Sequence, residues 1–292
     1  MKGYLKWHPI NSIIFFIIVL FYTMYSTNLV ITGISFLSSL ICFLLIFRGE
    51  KRIKSLLFYF LIGIIIIVSN PLISQNGETI LFNIGKVSIS YEAIVFGIYS
   101  AMMLISILIW FNCYNKMITA DKFLYLFGKI LPSTSITLTM GMRFIPEFLK
   151  RGKRIRQAQK NLGVTSSGLR GAVKNGAKQI SMLTSAALEN SMEVSNSMRA
   201  RGYGIKRRSN YGIYRFRRTD LIVLIFELLL FVVMFYGIFT SKTDLVYYPK
   251  IGKISFEYSD IILYVATLLL MLLPAINEVW EELKWKFLKS KI

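Results

Sequence analysis

Residues 93–111 read Ala-Ile-Val-Phe-Gly-Ile-Tyr-Ser-Ala-Met-Met-Leu-Ile-Ser-Ile-Leu-Ile-Trp-Phe, nineteen positions without one charge. As a helix this run is about 28 Å long, close to the hydrocarbon thickness of a bilayer. Five other apolar runs surround it: Ile13–Tyr25, Leu29–Phe47, Leu56–Val68, Leu221–Phe239 and Ile261–Leu273. Leu56–Val68 and Ile261–Leu273 are marginal by length. The composition agrees, at 54% hydrophobic residues and a mean hydropathy of +0.55 over 292 residues. Backbone in lipid has no water to bond, so the crossings must be helices. The reading is an all-α membrane protein of about six transmembrane helices. Lys2 and Lys6 precede the first run, but no small-residue cleavage site follows, so that run is expected to be a retained helix.

The formal charge of +20 is uneven. Residues 114–219 hold 21 Lys and Arg against four acids, Asp121, Glu147, Glu189 and Glu193. The turn Arg48–Lys54 and the tail after Pro274 (Lys284, Lys286, Lys289, Lys291) are also rich in bases. The connections at 26–28, 70–92 and 241–260 carry few. Basic loops stay cytoplasmic, so six crossings with both termini inside are expected, in the cell membrane. Trp280 and Trp285 beside the terminal lysines fit an interfacial amphipathic segment touching the bilayer. Nucleic acid is not an expected partner, because residues 150–178 contain no aromatic side chain to stack on bases.

Two loops end alike, at Ile84–Tyr91 (IGKVSISY) and Ile251–Tyr258 (IGKISFEY). Strand-prone residues before them, with turn formers at Asn83 and Pro249, predict a short hairpin in each, packed together on the outer face.

Several chemistries are missing. Cys42 and Cys113 sit in apolar runs without metal spacing, and His8 stands alone, so no metal site and no cofactor are expected. No phosphate-binding glycine loop occurs; Gly171–Lys178 has the wrong residues and lies in helical pattern. The crossings show no series of acids or histidines, only sparse polar residues such as Asn112. No catalytic residue emerges, and a chain that neither hydrolyses nucleotide nor carries an ion relay needs a partner.

The basic region reads as three helices. Asp121–Leu131 is amphipathic and stops at Pro132. Ser133 and Thr134 can cap a second helix that runs to about Leu162, apolar in its first half and basic in its second. Pro146 predicts a kink in it and Gly163 its end. The third runs from about Leu169 to Arg199 with an apolar stripe of Ile180, Leu183, Ala187, Val194 and Met198. It ends at Ala200-Arg201-Gly202-Tyr203-Gly204, with Arg201 at the tip.

The order of four helices, then Arg143-Phe-Ile-Pro146, then Ala158-Gln159, then Ser197-Met-Arg-Ala-Arg201-Gly-Tyr203, resembles the transmembrane T component of energy-coupling factor (ECF) transporters. That broad family includes the cobalt-transport permease subunit, and the resemblance covers residues 10–240. It implies a non-catalytic subunit that couples two ABC ATPase subunits to a membrane-embedded substrate-binding S component for vitamin or metal-ion uptake. It implies that two long helices each end in an Ala-Arg-Gly-like motif whose arginine docks in an ATPase groove. Ala200-Arg201-Gly202 matches the second motif. The first falls at Lys160-Asn161-Leu162-Gly163, where leucine replaces arginine and Lys160 or Arg156 is left to supply charge. The stripe of Ile180, Leu183, Ala187, Val194 and Met198, with the apolar half of Thr134–Ile145, is expected to meet the S component.

The implied division is 1–115 for helices one to four, 116–219 for a cytoplasmic three-helix coupling module, 220–275 for helices five and six, and 276–292 for a basic amphipathic tail. Two other readings fit the residues: a scaffold or channel whose basic module binds lipid or a regulator, and a permease with its own substrate path.

Overall fold

The computed structural model describes residues 7–47, 50–74, 77–84, 87–130, 132–163, 168–204, 214, 216–240, 243–252 and 256–289. The chain divides into two compact units, residues 124–213 and the remainder.

The larger unit holds the apolar helices α1 (Pro9–Tyr25), α2 (Leu29–Ile46), α3 (Glu50–Ile73), α4 (Tyr91–Met117), α8 (Arg218–Phe239) and α9 (Tyr258–Lys289). All but α1 are long and apolar enough to cross a membrane, and α1 is a 17-residue apolar helix. The protein is an all-α, multi-pass membrane protein. The short run Leu56–Val68 becomes a span because the helix continues beyond it at both ends, giving 22 suitable residues from Arg52 to Ile73. Helix α9 likewise continues through Pro274 to Lys289, without a break between crossing and tail. Its exposed residues Ile276, Trp280, Leu283 and Phe287 recur every three or four positions, one apolar stripe on the tail half.

The core is built from large side chains on facing helices. Trp110 of α4 lies edge-on to Phe15 and Phe16 of α1, all three buried, and its indole N–H donates to Ser35 Oγ of α2 at 3.2 Å. Ser35 in turn shares a 2.9 Å hydrogen bond with Thr23, so these three polar side chains inside the apolar bundle are partnered. Cys42 and Cys113 are free and buried in the same cluster, as small core residues. Outward faces stay apolar: only 17% of the α3 span and 22% of the α8 span is buried. Apolar surface of that extent is the mark of lipid contact.

Three connections meet at one end of this unit. The first predicted hairpin is present, with β1 (Ile80–Ile84) antiparallel to β2 (Val87–Ser90). Its turn differs from expectation, because Asn83 pairs with Ser88 inside the ladder and the reversal falls after Ile84. The second loop forms no ladder among the described residues. Gly252 N–H closes back on the Val246 carbonyl at 2.8 Å in a tight turn, and residues 253–255 lie outside the described set. The two loops do touch: Glu78 N–H donates to the Pro249 carbonyl at 3.4 Å, and Lys250 Nζ to Glu78 Oε2 at 2.9 Å. That carboxylate raises the Lys250 pKa. Thr27 N–H donates to the Thr243 carbonyl at 3.0 Å, which ties the α1–α2 turn to the same assembly. Tyr247 stacks on Tyr99 with centroids 5.1 Å apart. These are the connections poor in bases.

Candidate functional site: two glycine-capped helix tips

The smaller unit carries the residues singled out by motif. Helix α5 (Ala120–Ile130) straddles the boundary between the units; α6 (Pro132–Asn161) and α7 (Gly168–Ala200) belong wholly to the smaller one. Ser133 and Thr134 were expected to cap α6 from outside. The helix instead starts at Pro132, whose fixed φ and missing N–H suit a first helical position. Pro146 lies inside an uninterrupted helix, and its ring leaves the Met142 carbonyl without an i+4 donor.

Helices α6 and α7 pack against each other through polar backbone contacts. Arg151 bridges Glu147 at 3.1 Å on its own helix and donates to the Ala186 carbonyl of α7 at 3.2 Å. Gln179 Nε2 donates to the Gly152 carbonyl at 2.8 Å, and buried Gln159 meets the Met182 sulfur at 3.7 Å. Residues 151 and 186 pair, and so do 159 and 182, which makes the helices antiparallel. Their C-terminal tips therefore point to opposite ends of the unit.

Each tip turns through a left-handed glycine. On α7, Arg201 N–H reaches the Ser197 carbonyl at 3.1 Å, Gly202 N–H the Arg199 carbonyl at 2.9 Å and Tyr203 N–H the Met198 carbonyl at 2.9 Å. Gly202 has φ +81°. This is a complete Schellman cap, in which a left-handed glycine lets the chain turn back and satisfy the last carbonyls. On α6, Leu162 N–H reaches the Ala158 carbonyl at 3.0 Å, Gly163 N–H the Lys160 carbonyl at 3.2 Å, and Gly163 has φ +64°. Leu162 thus stands where Arg201 stands on the other helix. Leu162 is 76% exposed; Lys160, Asn161, Ala200 and Arg201 are also exposed. Among the described residues Arg201 and Lys160 have no ion-pair partner.

Arg201 also lines a cleft of about 450 Å³ between the two helices, with Arg143, Glu147 and Glu193. Arg143 and Pro146 sit one turn apart on exposed positions of α6, so the Arg143 motif and the Arg201 tip share that cleft. Sequence spacing did not reveal this meeting, since it depends on the helix register.

The apolar stripe expected on α7 is divided. Val194 and Met198 line the cleft with α6, and Leu183, Ala187, Val194 and Met198 are all half-buried; Ile180 is 66% exposed. Val194 and Met198 therefore face α6. The exposed apolar residues include Ile180 of that stripe, Val173, Leu188 and Met192 beside it on α7, and Leu138, Met142, Ile145 and Leu149 at four-three-four spacing on α6, the first three within the expected Thr134–Ile145 half.

One polar residue escaped the sequence reading. Glu227, within span α8, is fully buried and neither carboxyl oxygen has a hydrogen-bond partner among the described residues. One acid in a run of apolar residues barely changes hydropathy, yet it is the kind of residue an intramembrane function uses. No group of three His, Cys, Asp or Glu able to hold a metal ion occurs among the described residues.

A bundle of apolar helices joined to two long, capped, cationic helices defines a multi-pass membrane protein with a polar segment between α4 and α8. The family model for CbiQ, the cobalt transport protein, matches residues 6–211, and the chain belongs to that family of membrane transport components. An uncharacterized protein of Mycoplasma genitalium is 29% identical over 105 residues, which is 35% of this chain and 25% of that protein. The match thus spans about a quarter of that relative's length.

Proposed function

We propose that this chain is the transmembrane coupling subunit of an ECF-type ABC importer, carrying ATP-driven movement from two ATPase subunits to a substrate-binding S component that takes up a vitamin or metal ion. The observation that carries this reading is the repeated tip. Two rigid antiparallel helices end in the same glycine-capped turn and so offer two separated docking points, as a pair of ATPases needs. Residues 116–219 are then the cytoplasmic module, both chain termini are cytoplasmic, and the poorly basic end with the β1–β2 hairpin faces outward. The chain itself catalyses nothing; the ATPases do the chemistry.

Arg201 supplies a guanidinium fork at one tip. Leu162 supplies none at the other, where Lys160 offers a point charge two residues back. The two dockings are therefore unequal. The exposed apolar residues of α6 and α7, from Leu138 to Leu149 and from Ile180 to Met192, are the surface offered to the S component, together with the half-buried members of the stripe.

The test is affinity capture of the tagged chain co-expressed with its genomic neighbours. The reading expects two ATP-binding chains, lost with Arg201→Glu and kept with Lys289→Glu. Recovery of the folded chain without any ATP-binding chain overturns it.

A further inference from the structure

Helices α3 and α4 leave an open groove of about 540 Å³ where α3 begins and α4 finishes. Its lining is graded. Lys54, Ser55 and Asn115 form one end; Phe58, Leu108 and Phe111 form the other, one to two helical turns away. The floor is fixed by Asn112, whose amide donates to the Tyr59 hydroxyl at 2.7 Å. That bond uses Asn112 and leaves Lys54, Ser55 and Asn115 uncommitted, since none of them has a side-chain partner among the described residues. No carboxylate lines the groove. Phe58 is 58% and Phe111 48% exposed, so the apolar walls stand uncovered.

The position matters as much as the chemistry. The crossing segment of α3 starts at Arg52, so Lys54 lies at the edge of the hydrocarbon layer and Phe58 within it. A cation, a hydroxyl and a carboxamide at headgroup level, above an apolar slot, match a ligand with an anionic head and a hydrocarbon chain.

We propose that this groove is a binding site for an anionic phospholipid. The phosphate accepts hydrogen bonds from the Lys54 ammonium, the Ser55 hydroxyl and the Asn115 amide, and an acyl chain lies along Phe58, Leu108 and Phe111. A free phosphate would satisfy the polar end and leave the apolar end unused. The site does not depend on the coupling role.

The test is native mass spectrometry of the detergent-purified chain with phosphatidylglycerol, phosphatidylcholine or inorganic phosphate. Phosphatidylglycerol is expected to be retained preferentially, and Lys54→Gln to reduce that retention about fivefold, the effect of one lysine near an anionic headgroup. Ser55→Ala with Asn115→Leu should act in the same direction. Lys250→Gln, in the loop at the opposite end of α3 and α4, should change nothing. Equal retention of the two lipids overturns the proposal. So does an unchanged Lys54→Gln protein, or displacement of phosphatidylglycerol by inorganic phosphate. Circular dichroism of each variant separates lost binding from lost folding.

Discussion

Replacing Arg201 by alanine should separate docking from folding. The Arg201 side chain is exposed and has no ion-pair partner among the described residues, and the cap beneath it is made by backbone and by Gly202 at φ +81°. Its loss costs the helix the charge–dipole interaction of its last turn, about 0.3–1 kcal/mol at most and less where water screens it. A change that small shifts the melting temperature of a chain this size by about 2–4 °C or less. Docked in an ATPase groove, the same guanidinium makes charge-assisted hydrogen bonds worth about 1.5–3 kcal/mol. Arg201→Ala should then weaken ATPase binding about 10- to 150-fold. The assay pairs a thermal melt of the purified chain with binding of the ATPase subunits measured by biolayer interferometry. Leu162→Arg, on a backbone turn of the same kind, should tighten binding at the other tip. An intact fold with unchanged affinity for Arg201→Ala would refute the reasoning. A large drop in stability would also count against it, by making the arginine a structural cap.

Other perturbations test the bundle. A side chain at Gly237 would collide with buried Leu263 of α9, so Gly237→Leu should cost about 1–3 kcal/mol and lower the melting temperature, whereas the nearby lipid-facing Val232→Leu should not. Glu227 buries a carboxyl without partners, so Glu227→Leu should raise stability by about 1–3 kcal/mol; transport measured beside the melt shows whether that carboxyl is also used. Lys122 of α5 is buried, and desolvation lowers its pKa from 10.5 to about 8. The unfolded chain holds more protons than the folded one between those values, so stability should rise as pH increases from 8 to 10.5, by up to about 2 kcal/mol after allowing for solvent screening. Lys122→Met should remove that slope, which a pH series of thermal melts would show.

Much of this architecture follows from local chemistry that a sequence displays. Gly163 and Gly202 end long helical patterns, and both adopt the left-handed conformation that such ends require. The uncharged run from Ala93 to Phe111 lies wholly within α4. Where the reading failed, the deciding interaction was not local. Asn83 is a turn former by propensity, but pairing with Ser88 placed it in the ladder. Periodicity located an apolar stripe on α7 without saying that Val194 and Met198 of it face α6. The meeting of Arg143 with Arg201 required the antiparallel register set by contacts such as Arg151 to Ala186.

The central claim is that the two tips seat two ATPases. Its most direct test places a photo-crosslinking amino acid at position 162 in one protein and at position 201 in another, within the assembled membrane complex. The account predicts that each tip crosslinks to an ATP-binding chain, one at each position, and that a crosslinker at Lys289 does not. Tips that label only lipid, or that label no ATP-binding chain while the complex remains intact, would contradict it.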